Sequence, residues 1–257
     1  MTALTYAFIT FVCTAGCAVL GTTIRTWLPE AHLSKESQDV IRLGMGLVAT
    51  MTALLLGLVT AAAKGSFDTQ DVAVKNAAAG LMTLDRLLAR YGPETQSPRG
   101  LLRRAVADRL ESMWPPNGAR PLDLDLSRTP STEPAPAEQF ENQILALNPQ
   151  TDTQRWLKSE ALKLTEEVVR TRFRLLGSAN GAVPRTMLVV VIFWLSMTFA
   201  SFGLSAPRNA TVITVLVISA LSVAAAVFLI LELDGPFEGL IRISSEPLRF
   251  ALANLGR

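Results

Sequence analysis

The residues whose spacing best suits a function lie in one uncharged apolar segment, 43–63. Small or weakly polar residues recur there at intervals of three and four, so they would share one face of a helix. This small-residue stripe comprises Gly46, Thr50, Ala53, Gly57 and Thr60. Two interpretations fit it: close helix packing, which small residues permit in lipid, or the wall of a narrow ion pore.

Charged residues gather where two apolar segments end. Lys64 and Asp68 are one helical turn apart after the stripe, where a ring of charges at a cytoplasmic pore mouth could select ions. Glu232 and Asp234 follow the last apolar segment, and acidic groups at a helix C-terminus oppose its dipole and require a cation. Lys64 or Arg242 could supply it, so the other interpretation of these four residues is an inter-helix charge latch.

Catalytic and metal chemistry have little support in the sequence. The chain contains 1 His and 2 Cys, too few for a zinc site of His and Cys ligands. It has no phosphate loop and no dinucleotide motif, and a Ser-His-Asp arrangement is nearly excluded. We therefore predict no enzyme activity, no catalytic residues, no metal and no cofactor. The net charge of +2 is too small to indicate nucleic acid as a partner.

Four apolar segments could each cross a membrane. They are 4–24, 43–63, 186–204 and 209–231, and none contains Asp, Glu, Lys, Arg or His. At about 1.5 Å per residue each reaches about 30 Å, the thickness of a hydrocarbon core. The sequence thus predicts an all-α integral membrane protein, with the lipid bilayer as one partner.

These spans divide the chain into four parts. We expect a first transmembrane hairpin, a cytoplasmic helical domain, a second transmembrane hairpin and a cytoplasmic amphipathic tail, at 1–63, 64–185, 186–231 and 232–257. The domain includes a Pro-rich loop, 115–137, with six prolines. The second span is expected to continue as one helix from about Gln38 to Tyr91, where Gly92-Pro93 ends it. Only about four residues join the third and fourth spans, which predicts antiparallel neighbours.

Basic residues near the span ends predict the orientation. On one side lie Lys64, Lys75, Arg170, Arg172, Arg174, Arg185, Arg242 and Arg249, and on the other Arg25, Lys35, Arg42 and Arg208. Because cytoplasmic loops carry the excess of Lys and Arg, this distribution places both termini and the middle domain in the cytoplasm. The expected location is a bacterial inner membrane, crossed several times.

Two stretches resemble a bacterial family described as bestrophin-like. The first runs over 57–68 and is followed by Asn76 and by 84–86, and the second runs over 231–244. In the second stretch, Gly235 stands where the family usually has a basic residue, which weakens any ion-pair role at that position. The resemblance covers the whole layout of two spans, a helical region and two further spans.

The resemblance implies an ion channel. Bestrophins are oligomeric channels, commonly pentameric, with four spans per subunit and a pore along the second. By this analogy the chain forms a homo-oligomer, with a pentamer favoured, that conducts inorganic ions passively past the small-residue stripe. The aromatic cluster of the bestrophin neck is not found on this span. The alternative is a non-conducting membrane anchor or scaffold whose cytoplasmic helices bind a soluble partner.

Overall fold

The computed structural model describes residues 2–27, 35–114, 136–177, 183–207, 209–237 and 239–256. Within these ranges the chain is helical and has no strand, which confirms the all-α class. The helices are α1 (Ala3–Ile24), α2 (Lys35–Tyr91), α3 (Gln96–Met113), α4 (Pro136–Leu145), α5 (Asp152–Gly177), α6 (Arg185–Ser205), α7 (Ala210–Asp234) and α8 (Glu246–Asn254). Most of the predicted Pro-rich loop, 115–135, lies outside the described residues.

Four of these helices, α1, α2, α6 and α7, are long and apolar enough to cross a membrane. This confirms the four predicted spans. The predicted span 43–63 lies inside α2, which continues unbroken to Tyr91. Helices are the expected form because lipid offers no water to backbone groups, so each span must pair its own N–H and C=O groups.

The chain forms two compact units. Unit 1 comprises 1–66 and 181–235, and unit 2 comprises 67–180 and 236–257. Unit 1 contains α1, α6, α7 and the first part of α2, which are the apolar helices. Unit 2 contains the remaining helices and the rest of α2. The assignment of unit 2 to the cytoplasm stays a prediction from the distribution of Lys and Arg.

Small residues form the face by which α1 packs in unit 1. Its buried residues are Ala7, Thr10, Thr14, Ala18, Gly21 and Thr22. The hydroxyls of Thr10 and Thr14 donate to the carbonyl oxygens of Tyr6 and Thr10, at 2.8 and 2.7 Å. The packed face therefore buries no unpaired threonine proton at these positions, and its small side chains let neighbouring backbones approach closely.

Helices α6 and α7 pack mainly on α1. Among the described residues, α1 contacts both of them along its length, and direct contact between α6 and α7 is slight. Ala18, Phe199 and Ala220, one from each helix, are buried together. That the third and fourth spans form an antiparallel hairpin stays a prediction.

One apolar cluster forms the core of unit 2. Its buried members come from α2, α3, α4, α5, the segment before α8 and α8 itself, and include Leu84, Leu102, Ile144, Ala161 and Ala251. Burial of these side chains holds the five helices together, since removing apolar surface from water is worth about 25 cal/mol per Å².

A tight turn reverses the chain between α2 and α3, as Gly92-Pro93 predicts. Gly92 has φ 140°, a backbone conformation that side chains with a Cβ rarely adopt. A short 3₁₀ helix, Pro93–Thr95, follows. The Thr95 hydroxyl donates to the carbonyl oxygen of Leu88 at 2.6 Å, which the end of α2 leaves unpaired, and the Thr95 N–H donates to the Gly92 carbonyl oxygen at 3.2 Å.

A buried ion pair joins this helical hairpin to the end of the chain. The Nε and Nη2 atoms of Arg99 donate to the two carboxylate oxygens of Asp85 at 2.8 and 2.9 Å. The Gly256 N–H donates to Asp85 Oδ2 at 3.2 Å. The side chains of Asp85 and Arg99 are only 6% and 15% exposed. Hydrogen bonding to Asp85 raises the pKa of Arg99, so the guanidinium stays charged.

Replacing Asp85 by Ala is expected to lower the free energy of unfolding by about 3 kcal/mol, because it leaves a largely buried guanidinium without its carboxylate. Thermal denaturation of the full-length protein in detergent, followed by circular dichroism, measures the change. The matched control is Asp71→Ala on the same helix, which removes an exposed pair with Lys75 at 2.7 Å and should cost about 0–1 kcal/mol. Equal melting temperatures for the two variants would contradict the structural role of Asp85.

Candidate functional site

The small-residue stripe is open in the structure. Gly46, Thr50, Ala53, Gly57 and Thr60 are all exposed within the single chain. A Cβ atom added to Gly46 or Gly57 would meet no atom within 4 Å. The small residues of α1, in contrast, are buried against other helices. Close packing within one subunit therefore does not explain the stripe.

A different face of α2 attaches the helix to unit 1, and sequence reasoning did not single it out. Val59 and Ala63 are buried against Val183 and Ile230. Thr52 is buried on the same side, and intervals of seven and four residues connect positions 52, 59 and 63. At about 100° per residue this face lies roughly a third of a turn from the stripe. In the sequence this face is marked only by small and β-branched residues that recur at helical intervals. Many other groups of residues on α2 show the same pattern.

The bulky face of α2 is exposed as well. Its Leu47, Leu54 and Leu58 side chains are 63%, 72% and 60% exposed. Within unit 1, α2 is thus anchored along one face and leaves two others uncovered. The bulky face suits lipid or an apolar protein surface, whereas threonine hydroxyls and small residues suit water and ions in a narrow path.

The threonines of the stripe have defined hydrogen bonds. Thr50 Oγ1 donates to the carbonyl oxygen of Gly46 at 2.9 Å, and Thr60 Oγ1 donates to that of Leu56 at 2.7 Å. Each hydroxyl oxygen keeps lone pairs that can accept a hydrogen bond or face a cation. Because Thr50 and Thr60 are ten residues apart, the stripe offers such groups at two levels separated by about 15 Å.

The structure describes the surroundings of each predicted mouth and latch residue. Lys64 and Asp68 are exposed on α2, beyond the stripe, and Arg242 is exposed in unit 2. Glu232 is buried at the end of α7, with 8% exposure. Asp234 Oδ1 accepts a hydrogen bond from the Val183 N–H at 3.1 Å, a backbone partner that the sequence did not indicate. The mouth and the latch remain predictions.

The side chains of the candidate site can make transient contacts with ions or water. No group of three or more His, Cys, Asp or Glu residues that could hold a metal ion occurs in the described part of the chain. The stripe provides hydroxyls and small residues, with charges just beyond it. Such groups line a path or a packing surface and do not form an arrangement of nucleophile, base and oxyanion donors.

The fold has counterparts among solved membrane proteins. One variant of a bacterial bestrophin homologue from Klebsiella pneumoniae matches with a TM-score of 0.69 and 15% identity, over 99% of this chain and 97% of that chain. A second variant matches with a TM-score of 0.67 and 17% identity, over 96% of both chains. At this identity the likeness shows the fold alone. None of the curated proteins compared with the chain matches its sequence.

The family is shown by the sequence itself. The Bestrophin-like domain matches residues 12–248, which include most of α1 and extend into α8. The matched range contains the small-residue stripe and both stretches, 57–68 and 231–244, on which the resemblance rested. The chain is a multi-pass membrane protein, and it belongs to the Bestrophin-like family.

Proposed function

We propose that the protein is the subunit of a homo-oligomeric channel that conducts inorganic ions passively through a pore lined by α2. The observation that carries this proposal is the exposed stripe. Its five residues lie on a membrane-spanning helix, yet the described residues of their own unit leave them exposed. Family membership adds support, because bestrophins are ion channels.

Symmetric assembly gives each uncovered face of α2 a role. Copies arranged around an axis can turn their stripes towards the centre and place the bulky face against lipid or a neighbouring subunit. Homo-oligomers usually have closed cyclic symmetry, and a pentamer is favoured by analogy with bestrophins. Thr50 and Thr60 then provide rings of hydroxyls, and Ala53 and Gly57 form the apolar stretch between them.

Charges near the pore mouth would set the preference for one sign of ion. Rings of Lys64 and Asp68 lie beyond the stripe in such an assembly, and rings of charged side chains select ions in other pores. A latch of Lys64 or Arg242 with Glu232 or Asp234 would hold the mouth in place. In the predicted orientation both termini lie on the cytoplasmic side of the inner membrane, and this pore mouth then faces the cytoplasm.

Measurements of ion flux in liposomes and of oligomeric mass in detergent test the proposed function. The purified full-length protein, reconstituted in liposomes, is expected to dissipate a K⁺ or Cl⁻ gradient, and its mass in detergent should be a multiple of 27.8 kDa. Ion-selective electrodes and light scattering measure these quantities, with protein-free liposomes as the control. A monomer that passes neither ion would overturn the proposal and favour the non-conducting anchor, whose soluble partner should then co-purify with unit 2.

A further inference from the structure

Unit 2 contains an apolar cavity, partly open to solvent, that the proposed channel does not use. Its volume is about 430 Å³, and its walls come from α2, α3, α4, α5 and α8. The lining side chains Leu84, Leu102 and Phe140 are 1%, 6% and 5% exposed. A space of this size and apolar character is typical of a ligand pocket.

The cavity changes from apolar to polar along α3. Leu102 and Val106 line it and are buried, whereas Arg109 and Ser112 line it further along the same helix and are half-buried. These four residues recur at intervals of three and four, so they lie on one helix face. The cavity therefore has a deep apolar end and a polar end that reaches solvent.

The polar end has the chemistry to receive an anion. Arg109 engages other groups of the chain, but a guanidinium has five N–H donors and can serve more than one acceptor. The Ser112 hydroxyl donates to the Arg109 carbonyl oxygen at 2.9 Å, so the guanidinium is the group that meets the anion. The exposed Asp108 also lines the cavity and would oppose an anion there, so a single negative charge fits this end better than two.

We propose that this cavity binds a single-chain amphiphile with one anionic head, such as a medium-chain fatty acid. The hydrocarbon chain lies among the leucines, and the anionic head meets Arg109. The volume of about 430 Å³ lies within the usual range of small-ligand pockets, and dodecanoate serves as the probe. The site is distinct from the proposed pore wall, because every residue that lines it lies in unit 2 and the stripe lies in unit 1.

A photoreactive dodecanoate carrying a diazirine tests this site on the full-length protein in lipid nanodiscs. Mass spectrometry should place its crosslinks in 74–84 and 102–113. Excess dodecanoate should suppress them more strongly than excess dodecanol, which has the same chain but no charge. In the Arg109→Gln variant, dodecanoate and dodecanol should suppress crosslinking equally, because the carboxylate no longer meets a cationic side chain.

Filling the cavity provides the matched comparison. Ala105→Phe, or Ala77→Phe on α2, places a ring in the space and should reduce crosslinking at least about tenfold, equivalent to about 1.4 kcal/mol of binding free energy. Ala89→Phe adds the same ring at an exposed position of α2 and should change nothing. Melting curves identify which filling variants fold. The proposal is wrong if crosslinks occur only in the membrane spans, or if a folded filling variant is labelled as strongly as Ala89→Phe.

Discussion

Replacing Gly57 by Phe is expected to reduce ion flux to the background of protein-free liposomes. The new ring would project from the middle of the small-residue stripe, and in a symmetric assembly one ring from every subunit would enter the pore. The subunit itself should fold normally, since a Cβ at Gly57 meets no atom within 4 Å. Flux is measured after reconstitution at equal protein density, and the oligomeric mass in detergent shows whether assembly is preserved.

The matched control is Leu54→Phe, three residues away on the bulky face. Leu54 is 72% exposed, so this variant adds a ring to the same helix without placing it on the stripe, and its flux should stay close to that of the unsubstituted protein. Loss of flux in both variants, or in neither, would contradict a pore lined by the stripe. A thiol reagent gives an independent result: Thr50→Cys, in a chain with Cys13 and Cys17 replaced by Ser, should become sensitive to block.

Replacing Gly203 by Leu is expected to prevent unit 1 from folding. A Cβ at Gly203 would meet the carbonyl oxygen of Ala18 and lie 3.1 Å from the backbone N of Thr22. A Cβ at Gly21 would meet the carbonyl oxygen of Ala200 and lie 2.9 Å from the backbone N of Leu204. Both obstacles are backbone atoms, which cannot move aside as a side chain can. Separating α1 from α6 is the only relief, so the loss should exceed about 4 kcal/mol.

Smaller substitutions at the same helix crossing test this prediction when the Gly203→Leu protein is not produced in measurable amounts. Gly203→Ala and Gly21→Ala should each cost about 1–3 kcal/mol through overpacking, observed as a lower melting temperature in detergent. Gly16→Ala is the control on α1: its Cβ meets nothing within 4 Å, and Ala favours a helix over Gly by about 1 kcal/mol. A Gly203→Ala variant as stable as Gly16→Ala would show that the close crossing of α1 and α6 is not needed.

The crossing illustrates why local pattern and tertiary packing carry different information. Gly16 and Gly21 lie on the same apolar helix and look alike in sequence. In the structure a Cβ on one has open space, whereas a Cβ on the other would collide with the backbone of α6. The two glycines differ only in their position relative to α6, which lies almost two hundred residues away in the chain. Helical periodicity gives no information about that distant helix.

The candidate site shows the same difference between what local pattern predicts and what tertiary packing decides. The period of 3.6 residues per turn was enough to place the stripe on one helix face. It could not show that a second face, through Val59 and Ala63, is buried by distant residues and that the stripe is left open. Nor could it show that Asp234 accepts a hydrogen bond from the Val183 N–H, because that contact depends on where the segment before α6 lies.

What the sequence by itself determined is the membrane, the helical class and the set of four spans. Uncharged apolar runs of about 20 residues in lipid must satisfy their backbone groups internally, and an isolated run can do so only as a helix. What only the tertiary structure decided is which faces of those helices are covered: α1 as the common partner of α6 and α7, α2 with its stripe uncovered, and an apolar cavity in unit 2. These depend on contacts between residues far apart in the chain, whose free energies are set by shape and not by local spacing.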